Sequence, residues 1–115
     1  MSLSFEVISQ DETIIFKMFG KIITDNEVQQ LEEELFPLLS QNLKRILFDL
    51  SGLTHINSTG ISFFMKTLTK ARILGGELIL VGLSGNVEKV FEIAKLNEVF
   101  TIYANPEEGL AHFNA

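Results

Sequence analysis

Two adjacent hydroxyls, Ser58 and Thr59, stand between Asn57 and Gly60 at the point where an apolar segment gives way to a helical pattern. The segment from Phe48 to Gly60 reads as a buried strand running into a polar loop, which then delivers the hydroxyl pair to the start of an amphipathic helix. A helix N-terminus carries unpaired amide donors and the positive end of the helix dipole, so a phosphate would be stable there. One hydroxyl suffices to cap a helix, a contribution of about 1 kcal/mol. The second is surplus to that role. Gly60 in the first turn weakens a helix but lets another backbone approach closely. A presented hydroxyl with no base beside it in sequence suggests a switch rather than a catalyst.

Other residues offer less. His55 precedes the hydroxyl pair and is a formal candidate base for Thr59, but no carboxylate lies near it in sequence to orient it as a triad requires. Capping or exposure in the loop is the expected role for His55, and a surface position for His112. Asp49 at a strand end reads as a loop hydrogen-bonding group in the absence of a second carboxylate. The turn Gly82-Leu83-Ser84-Gly85-Asn86 follows a strand and opens a helix, the place for a phosphate loop, but it lacks the Lys and the spacing of one. It predicts a βα turn with the helix cap near Ser84 or Gly85. No metal-ligand spacing occurs, and neither a metal nor a cofactor is expected.

Composition narrows the classes further. The formal net charge is −6 over 115 residues, with the nine Lys and Arg scattered singly. Phosphate neutralisation needs a basic patch, so neither nucleic acid nor an anionic membrane surface is an expected partner. Zero Cys removes disulfides, thiolate catalysis and Cys-based zinc sites. Residues 1–6 lack a basic segment followed by an apolar run, and no apolar run nears the ~18 residues of a membrane span. A cytoplasmic protein is expected. Ten Phe against one Tyr and no Trp point to a core of aromatic rings that need no polar partner.

The elements that must position the hydroxyl pair follow from periodicity. Leu3, Phe5 and Val7, then Ile14, Phe16 and Met18, alternate with polar neighbours across Gln10-Asp11-Glu12, predicting a hairpin. Thr24 and Glu27 form a capping box before Val28, Leu31, Leu35 and Leu38, with Glu32, Glu33 and Glu34 facing water and Pro37 kinking or ending the helix. Ile46-Leu47-Phe48 reads as a strand covered on both faces, and Ser58 to Leu74 as the second helix, stopped by Gly75-Gly76. Its inward stripe is expected at Ile61, Phe64, Met65, Leu68 and Ala71 or Arg72. Ser62, Phe63, Lys66 and Lys70 are then outward, so that Phe63 beside the hydroxyl pair marks a docking patch. A strand at 77–81, a helix marked by Val87, Val90, Phe91 and Ala94, a strand at 99–103 and a helix at 106–113 complete the chain. The order is β-β-α-β-α-β-α-β-α: a single α/β domain over residues 1–115, its sheet mostly parallel with one antiparallel edge strand and helices packed on it.

Taken jointly, Asp49-Leu50-Ser51, Asn57-Ser58-Thr59-Gly60, Gly75-Gly76-Glu77-Leu78 and Phe91-Glu92-Ile93-Ala94-Lys95-Leu96 resemble the STAS domain, in its stand-alone bacterial form, the anti-sigma factor antagonists. The resemblance runs along essentially the whole chain. It implies a partner-switching regulator: the unphosphorylated protein binds an anti-sigma factor that is also a serine/threonine kinase, phosphorylation releases it, and a PP2C-type phosphatase restores it. The acceptor position of the family falls on Thr59, with Ser58 adjacent, and the partner face on Asn57, Ser58, Thr59, Gly60, Ser62, Phe63 and Lys66. The family's usual acidic residue before the hydroxyl pair is Asn57 here. Two other readings stand beside this one: a non-switching STAS scaffold or adaptor in which Thr59 is only a helix cap, and a nucleotide or small-ligand sensor using the Gly82–Asn86 turn. A hydrolase built on His55 and Thr59 has no nameable oxyanion or orienting group.

Overall fold

The computed structural model describes residues 3–39 and 45–114. Strands β1 (Ser4–Gln10) and β2 (Thr13–Ile22) form the predicted hairpin, its tight turn helped by Asp11 at φ 57°. Helix α1 (Asp25–Leu39), strand β3 (Arg45–Ile56), helix α2 (Ser58–Ile73), strand β4 (Glu77–Val81), helix α3 (Gly85–Ile93), strand β5 (Thr101–Tyr103) and helix α4 (Pro106–Phe113) follow in order. A single 3₁₀ turn at Leu96–Glu98, entered through Lys95 at φ 56°, is the one element the periodicity did not predict. The five strands lie in the order β1-β2-β3-β4-β5, with β1 antiparallel to β2 and the other pairings parallel.

Alternation along the central strands sends side chains to two cores. Phe16, Phe48 and Leu50 pack with Leu31 and Leu35 of α1, Phe63 and Phe64 of α2, and Val87 and Phe91 of α3. On the other face Leu47, Ile79 and Val81 meet Phe113 of α4. The rings form a connected stack, with Phe63 lying 5.9 Å from Phe48 at 8° and 6.3 Å from Phe36. Phe thus fills the interior without leaving polar atoms to satisfy, as the composition implied.

Three expectations need correction. First, β3 does not yield to a loop after Phe48. It runs on to Ile56, paired with β2 through Phe19–Gly52, Gly20–Leu53 and Ile22–Ile56, with irregularities between Lys17 and Phe19 and between Gly20 and Lys21. Its polar residues are tolerated because the ten-residue β2 offers a partner throughout. Gly52 makes room as well: a Cβ there would fall 2.3 Å from the Phe19 ring. Second, the buried arc of α2 is Gly60, Phe63, Phe64, Thr67, Leu68 and Ala71, whereas Met65 is 38% exposed and Arg72 is on the surface. Phe63 is only 1% exposed. The helix packs against both the sheet and α1, so its buried arc is turned from the stripe that hydropathy alone suggests. Third, His112 is half-buried. Pro37 does lie in the last turn of α1, which ends at Leu39.

Candidate functional site

The connection from β3 to α2 is one residue long, and that residue is Asn57. Its extended backbone (φ −131°, ψ −167°) places the side chain as the helix N-cap, where Oδ1 accepts from the Thr59 N–H at 3.1 Å. The amide nitrogen of the same side chain donates to the Ile23 carbonyl at 3.1 Å. An amide side chain carries an acceptor and a donor on separate atoms, and Asn57 uses both. Asn ranks with Asp and Ser as an N-cap, so the residue type already held this signal, masked by the two hydroxyls that follow.

Because Asn57 caps the helix, Ser58 and Thr59 are relieved of that duty. Ser58 is exposed and Thr59 half-buried, and among the described residues neither hydroxyl is tied by a hydrogen bond. Gly60 is buried, and a Cβ at this position would lie 2.8 Å from the Ile22 carbonyl oxygen and 2.6 Å from Ile56 Cγ1. The glycine therefore seats the first turn of α2 directly on the ends of β2 and β3, the close approach its presence suggested.

The other side of the site is braced by the predicted capping box. Glu27 Oε1 accepts from the N–H groups of Ile23 (2.8 Å) and Thr24 (3.0 Å) and from the Thr24 hydroxyl (3.2 Å), while the Glu27 N–H donates to Thr24 Oγ1 at 3.4 Å. The Ile23 hydrogen bond, with smaller help from Thr24 and the Lys21 charge, holds this carboxyl below its ordinary 4.5 although burial opposes. The backbone of Ile23 is thus held at its N–H by Glu27 and at its C=O by Asn57.

Thr59 opens onto a cleft of about 250 Å³ between α1 and α2, with Asp25, Val28 and Glu32 on one wall, Ser62 and Lys66 on the other and Phe63 beneath. Lys66 Nζ pairs with Glu32 Oε2 at 2.9 Å, so Glu32 is engaged across the cleft rather than simply facing water. The first turn of α2 holds no acidic residue and its last turn holds Lys70 and Arg72. The positive end of the helix dipole beneath the hydroxyls is therefore not offset within its own turn. Phe63 cannot serve as an exposed docking residue. Ile23, 39% exposed, is the large apolar side chain that flanks the turn instead.

The competing sites lie apart from this arrangement. His55 ends up on β3 rather than in a loop; it is exposed and shares a 3.0 Å hydrogen bond with Thr54 Oγ1. Asp49 lies mid-strand, accepting from the N–H (3.1 Å) and hydroxyl (2.8 Å) of Ser51. His112 Nδ1 meets the Tyr103 hydroxyl at 2.8 Å and its Nε2 meets Glu77 at 3.3 Å, which explains why it is half-buried. Ser84 is the N-cap position of α3, as the turn predicted, though its side chain makes no capping hydrogen bond. Among the described residues no cluster of His, Asp or Glu is arranged to hold a metal, and no helix is long and apolar enough to cross a membrane.

Residues 4–109 match the STAS domain family, and the chain belongs to it. It is 28% identical over 107 residues to the anti-sigma-B factor antagonist of Staphylococcus aureus, covering 93% of this chain and 98% of that one. Among solved structures, an anti-sigma factor antagonist from Mycobacterium paratuberculosis superposes with a TM-score of 0.87 at 18% identity, over 99% of this chain and 96% of the other. The anti-sigma factor antagonist SpoIIAA in its unphosphorylated form gives 0.76 at 19% identity over 97% and 99%. Its phosphorylated form, from Bacillus, gives 0.74 at 20% identity over 96% and 99%. The solved structures share the fold: one antiparallel hairpin strand on a parallel sheet, with helices on both faces.

Proposed function

We propose that this chain is an anti-sigma factor antagonist that works by partner switching in the cytoplasm. With Thr59 unmodified it binds an anti-sigma factor that is also a serine/threonine kinase. The kinase transfers the γ-phosphoryl group of ATP to Thr59 Oγ1, with loss of the hydroxyl proton and release of ADP, and the complex separates. A PP2C-type phosphatase hydrolyses the phosphate and restores the active form. The observation that carries this reading is the division of labour at the head of α2: Asn57 caps the helix and leaves the two hydroxyls at its positive end free of hydrogen bonds among the described residues. The full-length similarity to named antagonists supports it.

The physical consequence follows from charge. A phosphate adds about −1.5 to −2 charges and three strong acceptors. At Thr59 it would enter a cleft that already holds Asp25 and Glu32, on a surface shaped for a neutral hydroxyl. The α2 amides stabilise it, so the fold is retained while the partner meets an unmatched charge. The partner face consists of Asn57, Ser58, Thr59, Ser62 and Lys66. Gly60 and Phe63 act from beneath, by seating the helix.

Incubation with an anti-sigma factor kinase that binds the chain and with ATP, followed by mass spectrometry of the intact chain and its peptides, tests the assignment. One phosphate on Thr59 is expected, lost in Thr59→Ala and kept in Ser58→Ala. Thr59→Glu should weaken kinase binding more than about 10-fold, a difference of ~1.4 kcal/mol. Binding without modification, and unchanged by Thr59→Glu, would favour the scaffold reading over the switch.

A further inference from the structure

Lys66 is the one cation among the residues that line the Thr59 cleft, which also holds the carboxylates of Asp25 and Glu32. It follows Thr59 by seven positions, and at 3.6 residues per turn two such residues stand almost one above the other on the same flank of α2. The rise between them is about 10.5 Å. Helical side chains lean toward the N-terminus, so the four-carbon stem of Lys66 spans about half of that rise. A phosphate on Thr59, projecting beyond the hydroxyl, closes much of the remainder. In the unmodified chain the ammonium is held instead by Glu32 Oε2 on the opposite wall, at 2.9 Å.

Two acceptors then compete for one ammonium. The pair with Glu32 is readily given up, because the Lys66 side chain is 55% exposed and exposed ion pairs are weak. A phosphate offers about −1.5 to −2 charges and three acceptor oxygens against the single charge of a carboxylate. We infer that Lys66 is the relay of the Thr59 site: phosphorylation draws its ammonium from Glu32 to the phosphate and leaves the Glu32 carboxylate bare on α1. The inference rests on Thr59 being the acceptor, and it adds the route by which the change leaves the turn. Only a side chain moves, so the backbone of the site stays as it is. Before modification the cleft presents a neutral hydroxyl and a paired Glu32. Afterwards it presents a partly neutralised phosphate on α2 and an unpaired carboxylate on α1. The phosphate is the origin of the change and Lys66 spreads it, so a partner resting on α1 meets the difference without touching Thr59.

Phosphothreonine installed at position 59 during synthesis of the whole chain tests the exchange with no kinase in the assay. Phosphorus NMR over a pH titration reads the second ionisation of the phosphate, ordinarily near pH ~6. An ammonium beside the phosphate favours its dianion. The midpoint in the native sequence should therefore lie about 0.2–0.7 of a pH unit below that of Lys66→Gln. Lys66→Arg should restore the low midpoint, which packing of the stem alone would not do. Glu32→Gln removes the competing acceptor and should lower the midpoint further, by more than it does when combined with Lys66→Gln. Circular dichroism confirms that these surface substitutions leave the fold unchanged. A midpoint unmoved by Lys66→Gln, one that Lys66→Arg fails to restore, or a Glu32→Gln effect equal with and without Lys66 would each overturn the inference. Failure of a kinase to modify Thr59 appears in the mass spectra instead and counts against the switch itself, whereas these midpoints bear on Lys66 alone.

Discussion

Replacing Asn57 separates the two tasks of its side chain. Asn57→Ser keeps a good N-cap for the Thr59 N–H but loses the amide nitrogen that reaches the Ile23 carbonyl. That hydrogen bond is exposed, so the loss should sit near the lower end of the usual 0.5–1.5 kcal/mol, about 0.5. Asn57→Ala loses both contacts; adding about 1 kcal/mol for the cap gives roughly 1.5 kcal/mol. Asn57→Asp is the informative case. It keeps the cap and gains about 0.3–1 kcal/mol from a negative charge at the helix N-terminus. It also replaces a donor with a carboxylate oxygen facing the Ile23 carbonyl, now 3.1 Å from the amide nitrogen. The gain and the loss nearly cancel, and Asp should fall within about 0.5 kcal/mol of the native residue. Urea unfolding at neutral pH measures the series, with a matching slope confirming a two-state comparison. The expected order is Asn close to Asp, then Ser, then Ala. An Asn57→Asp protein more stable by ~1 kcal/mol, the full dipole gain, would show that the Ile23 clamp contributes nothing. Equal stability of Asn57→Ala and the native protein would refute the capping argument itself.

Gly60→Ala should destabilise by about 1–2 kcal/mol despite alanine's better helix propensity, because the new Cβ has to displace the Ile22 carbonyl and Ile56. A thermal melt lower by roughly 4–8 °C checks it. Phe63→Ala should cost about 3–5 kcal/mol by emptying a core position between Phe48 and Phe36, whereas Lys66→Ala, which breaks an exposed ion pair, should cost less than ~1 kcal/mol. Comparable unfolding midpoints for the two variants would contradict the burial of Phe63. Glu27 has a depressed carboxyl pKa, so its contribution is present above the ordinary 4.5 and lost as pH falls through the lower folded-state value. Glu27→Gln should therefore reduce stability at neutral pH and flatten the acid limb of the stability profile below pH 4.5. An unchanged acid limb in urea titrations would count against the capping box.

Most of the architecture was legible because the strong periodic signals were honest ones. The hairpin, the capping box at Thr24 and Glu27, the glycine stop after α2 and the terminal helix all appear where residue chemistry put them. The failures share a cause: residues whose polarity is satisfied locally. Thr67 is fully buried because its hydroxyl donates to the Phe63 carbonyl one turn back at 2.9 Å, so a polar letter occupies a core position. Hydropathy passes over such a residue, and the buried arc that includes it also takes in Phe63. Asp49 and Ser51 satisfy each other on β3 in the same way, and so disguise a continuing strand as a loop. His112 was hidden by distance, since its partner Glu77 lies 35 positions earlier and no local pattern connects them.

The correction to β3 alters how the site has to work. Were the hydroxyls carried on a loop, a phosphate could act by ordering or releasing it. Instead Ile56 is still paired with Ile22 one residue before the N-cap, Gly60 is pressed against the Ile22 carbonyl, and the backbone of Ile23 is held at both its N–H and its C=O. Thr59 is thus fixed to the ends of two sheet strands before any partner arrives. A group so held has little conformational freedom to lose on binding, which favours affinity, and little to gain on release. Under the proposed switch, a phosphate on Thr59 would therefore act through what it adds, charge and bulk on a surface that stays in place. Asn57 fits that arrangement: its neutral side chain fastens the turn to the Ile23 carbonyl. On this surface the unmodified turn adds no charge of its own, so under the proposed switch the phosphate would supply the whole of the difference a partner reads.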